Sequence, residues 1–318
     1  VTITPHDGGA GGTFTPVTVQ ITAAIPSATF VYTPNTSGAK VIATTNDGGL
    51  VDPAALTYTA IEPTVATWPD LSASANTGIA VGSPILIPNA LNGKPAVRFR
   101  SASNDGFNLT TLIPAVRPFI IIAVVRFGGI GKLGYIMGGD GTAGTPFFLG
   151  NSDDTILSSN QTEYSHVANP DAAGSAFHIV TAYTSDSAFP DIYFDGAYIT
   201  FTGANPLSGT NFKTLGYNIV QPAYSDCDIA EIVMYDTIYG ISHLNVETGL
   251  AQKYGLPIAA GGTPVQPDVY PGALIGWWRA DMIDALREEA REEIRREIIK
   301  RAMLVSVLLE TEFFPLRS

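Results

Sequence analysis

The sequence predicts an all-β, multi-domain protein that ends in a charged amphipathic helix. Three observations lead there. Only 14% of the 318 residues are charged, while 32 Gly and 22 Pro punctuate the chain, a composition of short strands and turns rather than of helices or disorder. Candidate strands recur as short clusters of β-branched and aromatic residues between Gly- and Pro-bearing turns. Charge is spread unevenly: residues 1–278 hold 29 of the 46 charged side chains and the last 40 residues hold the other 17. Two kinds of polypeptide are joined.

Composition also excludes whole classes. A net charge of −12 gives no global attraction for phosphate, so nucleic acid is not an expected partner. One Cys rules out an intrachain disulfide framework, and no Cys/His spacing suits structural zinc. The apolar run 119–125 is too short to span a bilayer, and the opening residues carry neither the basic nor the apolar region of an export signal.

Taken in order, residues 18–22, 29–32 and 40–44 read as strands of a small antiparallel sandwich over 1–60. A second β-domain covers 61–257, with strand candidates at 96–99, 119–125, 177–183, 191–194 and 229–235. Asn92-Gly93 and Asp195-Gly196 are turn signals, and the second sits at the tip of a hairpin over 192–199. The Pro/Gly-rich stretch 257–271 reads as a linker, and the segment 258–281 ends in Gly276-Trp277-Trp278-Arg279-Ala280-Asp281. The tail, 282–318, is helical: Leu286, Ala290, Ile294 and Ile298 recur every four residues, with Glu288/Arg291, Glu292/Arg296 and Glu297/Arg301 as helical ion pairs. Asp281 or Asp284 caps it. Its apolar stripe needs a cover, and a second copy of the chain is the cover this reading favours, making a homo-oligomer through the C-terminal helix.

Residues 1–60, with Thr4-Pro5-His6-Asp7-Gly8-Gly9, Phe30-Val31-Tyr32-Thr33-Pro34 and Thr45-Asn46-Asp47-Gly48-Gly49-Leu50, resemble a bacterial immunoglobulin-like repeat, short for a sandwich of about 100 residues. Asn92-Gly93-Lys94-Pro95-Ala96-Val97-Arg98-Phe99, Tyr193-Phe194-Asp195-Gly196, Asp228-Ile229-Ala230-Glu231-Ile232-Val233-Met234-Tyr235 and Val246-Glu247-Thr248-Gly249-Leu250-Ala251 resemble concanavalin A-like domains of the laminin-G-like type. The resemblance implies a jelly roll, usually a non-catalytic module for glycan or protein recognition, in some members with bound calcium. One element is out of place. Thr67-Trp68-Pro69-Asp70-Leu71-Ser72 stands early, but the Trp-Trp-Arg-Ala-Asp strand that normally precedes it lies at 277–281. Too few non-helical residues follow it to start a second copy, so it is expected to fold back and complete the first.

Asp226, Asp228 and Glu231 have the 1, 3, 6 spacing of the acidic strand in laminarinase-type β-glucanases, which share this fold. Retaining hydrolysis needs two carboxyls about 5–5.5 Å apart. On a regular strand Glu231 would point away from Asp226 and Asp228, so a bulge is required. A turn leading into a non-catalytic strand is the preferred reading, and the hydrolase is the alternative. Hard oxygen donors are densest at Asn151-Ser152-Asp153-Asp154, making Asp153 and Asp154 the candidate calcium ligands; otherwise no cofactor is expected. Tyr164, Tyr217 and Tyr224 lie in polar segments and are the candidate sugar-stacking residues. The histidines, His6, His166, His178 and His243, are scattered, and Cys227 beside two carboxylates is a structural thiol. The expected function is recognition or adhesion on a bacterial surface or a virion, with glycan or a surface protein as partner. A purely structural spacer or decoration protein is a further alternative.

Overall fold

The computed structural model describes residues 1–289 apart from 10, 26, 28, 34–37, 61–62, 115–117, 129–133, 141–148, 153–154, 161–162, 169–173, 185–189, 200–210, 220–222, 260–261, 284 and 286–288. The chain forms two compact units, Val1–Pro63 and Thr64–Ser318.

In the first unit β1 (Thr2–His6) pairs with β3 (Val19–Gln20) and with β5 (Gly38–Asn46), which also pairs with β6 (Leu56–Ala60). Separately, β2 (Thr13–Thr15) pairs with β4 (Val31–Thr33). All pairs are antiparallel. Asp7 organises the glycine-rich turn, accepting from the amides of Gly9 and Gly12 at 3.1 and 2.7 Å and from the Tyr32 hydroxyl at 2.9 Å. About sixty residues enclose little core. Ile42 is buried, while Phe30, Tyr32, Ile42 and Leu56 line an open apolar cleft of about 540 Å³.

The second unit is a sandwich of two antiparallel sheets. The larger has the order β19 (Ala197–Ile199), β18 (Pro190–Phe194), β17 (His178–Thr184), β12 (Phe119–Phe127), β23 (Cys227–Tyr235), β10 (Lys94–Phe99), β9 (Ile85–Leu91). The strand β24 (Leu274–Arg279) also joins β23, along the half that β10 leaves unpaired. The smaller sheet has the order β13 (Met137–Gly139), β20 (Asn211–Leu215), β11 (Gly106–Pro114), β8 (Gly78–Val81), β7 (Thr67–Trp68). Short pieces complete it: β14 (Leu149–Ser152), β15 (Thr155–Asn160) and β16 (Glu163–Ala168) form a meander, and β21 (Tyr217–Asn218) pairs with β22 (Ala223–Tyr224).

Between the sheets, Phe99, Val125, Ile229 and Trp278 meet Trp68, Phe107 and Phe212. On the outer face of the larger sheet, Ile120, Ile122, Val124 and Val233 are covered by Val246, Leu250 and Tyr254 of α1 (His243–Tyr254). The central strands β12 and β23 are thus buried on both faces, which is why their sequences are nearly continuous apolar runs without alternation. Each large side chain so buried contributes about 1.5–3 kcal/mol. The Asp195-Gly196 turn joins β18 to β19 with φ of +50° and +78°, the primed geometry such a pair favours.

The helix α1 begins where the Ser242 hydroxyl accepts from the Asn245 amide and ends at Gly255, whose φ of +65° suits glycine. A side chain at Gly249 would strike the Val265 carbonyl. The strip after α1 therefore lies tight against it. The Pro/Gly-rich stretch is not a free linker: Ala259 donates to the Asp195 carbonyl, Gly262 to the Thr248 hydroxyl and Val265 to the Asn245 carbonyl. It leads into β24, where Trp277 and Trp278 pair with Val233 and Ile232. The early motif receives them: Asp70 accepts from the Trp277 amide at 2.8 Å, Leu71 donates to the Trp277 carbonyl, and the Trp278 indole donates to the Asn76 carbonyl. The displaced strand completes this sandwich from the far end of the sequence. Residues 280–283 are helical and Ile283 enters the core; residues 290–318, most of the expected amphipathic helix, lie outside the described residues. No helix among the described residues is long and apolar enough to cross a membrane.

Candidate functional site: an arginine and aspartate cleft

Three strands of the larger sheet build the site by register alone. Asp228 on β23 lies directly opposite Arg98 on β10 and Arg126 on β12. The three side chains form a row across the sheet, two guanidiniums flanking one carboxylate. Arg98 donates to both Asp228 oxygens, at 2.8 and 3.1 Å, and Arg126 donates to Oδ2. The carboxylate is 5% exposed, against 38% and 29% for the two arginine side chains. The Arg126 guanidinium also lies over the Phe177 ring, 5.0 Å from its centroid.

Where β10 ends, Arg100 is held by Asp105 at 2.9 Å and by the Ser83 carbonyl at 2.8 Å. Asp226, just before β23, accepts from the amide and hydroxyl of Ser101 at 3.1 and 2.6 Å. A side chain at Gly128 would collide with the Asp226 carbonyl, so glycine lets β12 run close beside it. Together Arg98, Arg100, Arg126, Asp226, Asp228 and Gly128 line a cleft of about 300 Å³. Residues 1–278 contain nine Lys and Arg, and three of them are here. Cys227 is buried at the cleft's edge; burial first, then the Asp228 charge, push its thiol pKa up, so it stays protonated.

The third acidic residue of the 1, 3, 6 spacing has a different environment. Ala230 is a bulge: Val124 faces Glu231 while Val125 faces Ile229. The bulge turns Glu231 to the outer face that Asp228 also uses. There it is sealed. Glu231 is 1% exposed; Oε1 accepts from the Trp277 indole at 2.5 Å, and Oε2 accepts from the Tyr254 hydroxyl at 2.8 Å and from the Lys253 ammonium. Burial, then the Glu231 charge and hydrogen bond, push the Tyr254 hydroxyl pKa far up, so it is a fixed donor. Asp226, Asp228 and Glu231 are thus all engaged by donors, and Glu231 is shut off from solvent.

The candidate tyrosines are not brought together at this cleft. Tyr217 is buried and stacks on Tyr224 at 5.1 Å and 13°, with its hydroxyl donating to Asn108 at 2.5 Å. Its polar segment suggests exposure, but Gly106 leaves room for its ring inside. Tyr224 is half-buried. Tyr164 falls on β16, whose side chains are outside the described residues, as are Asp153 and Asp154. Among the described residues no group of three or more His, Cys, Asp or Glu converges to hold a metal. Sequence reasoning missed Arg98, Arg100 and Arg126 as site residues. Only the Arg98-x-Arg100 spacing hinted at them, since Arg126 joins the row only once the strands are paired.

No family model matches the sequence, and no curated protein is similar to it at a significant level. Among solved structures, the chain is similar to a Trypanosoma rangeli sialidase in complex with sialic acid, with 12% identity and a TM-score of 0.39 over 63% of this chain and 40% of that one. It is also similar to the binding domain of paraclostridial mosquitocidal protein 1, with 10% identity and a TM-score of 0.37 over 58% of this chain and 51% of that one. The chain spans about half or less of the length of these structures, and at such scores neither likeness carries functional weight.

Proposed function

We propose that the chain is a non-catalytic recognition module, with a concanavalin A-like second unit behind an immunoglobulin-like spacer, displayed on a bacterial surface or a virion. It binds glycan or a polar patch of a surface protein through the arginine and aspartate cleft. The observation that carries this reading is the Arg98–Asp228–Arg126 row. A single buried carboxylate fixes two part-exposed guanidinium planes at the mouth of a cleft, and planar donors held in place suit vicinal hydroxyls and carboxylates. The sealed environment of Glu231 favours recognition over hydrolysis, because an acid/base pair must reach the glycosidic oxygen.

The test is a glycan array probed with the full chain and with Arg126→Ala. Binding that falls at least about tenfold in the variant supports the cleft. An array without hits would favour the structural spacer, and laminarin turnover abolished by Glu231→Gln would restore the hydrolase.

A further inference from the structure

Away from the arginine row, the β17–β18–β19 edge of the larger sheet lies in a part of the sequence with the opposite charge. From residue 133 to residue 212 there is no Lys or Arg, against eight Asp and Glu. Within this stretch, strand register places Tyr193 opposite Thr181 and Tyr198 opposite Tyr193, with Asp191 opposite Tyr183. Alternation along the strands turns this set to the outer face, the one α1 covers further in. Tyr198 is 54% exposed, and its hydroxyl donates to Asp191 at 3.3 Å. The Tyr193 and Tyr198 rings are 5.5 Å apart, inclined at 59°. From α1, His243 contributes its ring between Tyr183 and Tyr193, with centroids at 5.4 and 4.4 Å.

Beneath this platform two polar atoms are buried without partners. Glu247 is fully buried; its Oε1 meets His243 Nδ1 at 2.9 Å, but its Oε2 has no hydrogen bond, and neither has the Thr181 hydroxyl opposite Tyr193. The Tyr193 pKa is raised by burial, then by Asp191 and Glu247, and that of Tyr198 by burial, then by Asp191.

We propose that the Tyr193–Tyr198 platform and Asp191 form a second binding site, for a hexosamine carrying a free, protonated amine. The sugar's C–H face stacks on Tyr198 and its ammonium pairs with Asp191. A lysine side chain from a partner protein fits less well. An ammonium alone is best held in a closed cage, and His243 already fills the space between Tyr183 and Tyr193. What remains exposed is a ring face beside a carboxylate, which matches a pyranose and its amine. This site is independent of the arginine cleft.

The experiment is calorimetry of the full chain with a β-1,4-linked glucosamine hexamer in low-salt buffer at about pH 6, where the sugar amine carries its proton. The fully N-acetylated hexamer and a polylysine of equal charge are the comparison ligands. Binding is expected for the glucosamine hexamer, weakened about tenfold by Tyr198→Ala or by Asp191→Asn and retained by Tyr198→Phe. The N-acetylated hexamer should bind at least about tenfold more weakly. Unchanged thermal unfolding of the variants separates lost contact from lost fold. The proposal is overturned if the glucosamine hexamer does not bind or the N-acetylated one binds equally well. Polylysine binding as tightly as the hexamer, or a loss confined to Arg126→Ala, overturns it as well.

Discussion

Asp228 and Glu231 sit three residues apart on one strand, on one face of one sheet, yet one lines an open cleft and the other is enclosed. The bulge at Ala230 makes them neighbours on that face, and what covers each then decides its role. Over Asp228 there are two long, part-exposed arginines. Over Glu231 there are an indole, a phenol and an ammonium, delivered by β24 and α1. Strand position sets which face a carboxylate uses; the elements packed on that face set whether it binds, reacts or holds the fold together.

The largest effect should come from Glu231→Ala. It leaves Lys253, Tyr254 and the Trp277 indole without their shared acceptor in a buried place, at about 3–5 kcal/mol in urea unfolding. Asp228→Ala should cost only about 1 kcal/mol, because its arginines can turn to solvent. Equal losses at the two positions would break the distinction between a carboxylate held by buried donors and one held by part-exposed arginines.

Arg126→Ala sharpens the same comparison from the functional side. Stability should change by less than about 1 kcal/mol, while affinity for a cleft ligand falls at least about tenfold. A large loss of stability with intact binding would make Arg126 a structural counter-ion, and the cleft would lose its role.

Much of this contrast was legible in the sequence, and the rest was not, for identifiable reasons. The runs at 119–125 and 229–235 announced central strands because burial on both faces demands unbroken apolar residues. Asp195-Gly196 announced its hairpin through backbone chemistry that few residue pairs supply. The need for a bulge before Glu231 could be stated from the strand period, but not that β24 would then cover it. Arg98, Arg126 and Asp228 are separated by up to 130 residues and meet only through pairing register. His243 and Glu247 are four apart, a spacing that matters only on a helix, and α1 carries Thr248-Gly249 at its middle, a weak helical signal. The polar neighbours of Tyr217 suggest exposure, whereas Gly106 on β11 makes room for its ring.

A smaller effect belongs to the rim of the enclosed side. Burial opposes ionisation of Asp281, but the Arg279 hydrogen bond and the Lys253 and Arg279 charges outweigh it and lower its pKa. A carboxyl whose folded pKa is depressed adds stability that is fully present above its unfolded value and disappears as pH falls through the folded one. Wild type should therefore exceed Asp281→Asn by a constant margin above about pH 5, shrinking below about pH 4. A margin that instead grows with acid would mean that Asp281 is not held ionised by its cations.

The smallest expected signal is at Cys227, where β23 begins at the cleft. Its side chain is 4% exposed and turned into the core between the sheets, and its pKa is raised first by burial and then by Asp228. Reaction with a thiol reagent needs both access and a thiolate, so the native chain should react only at the rate at which this end of the sandwich opens. Adding denaturant should bring labelling in step with global unfolding. Fast labelling of the native chain, with Asp228→Ala no faster, would show that the cleft end opens locally whatever its ion pairs. The open end would then be loose as well as exposed, and the arginine row would not be the preorganised surface that recognition requires.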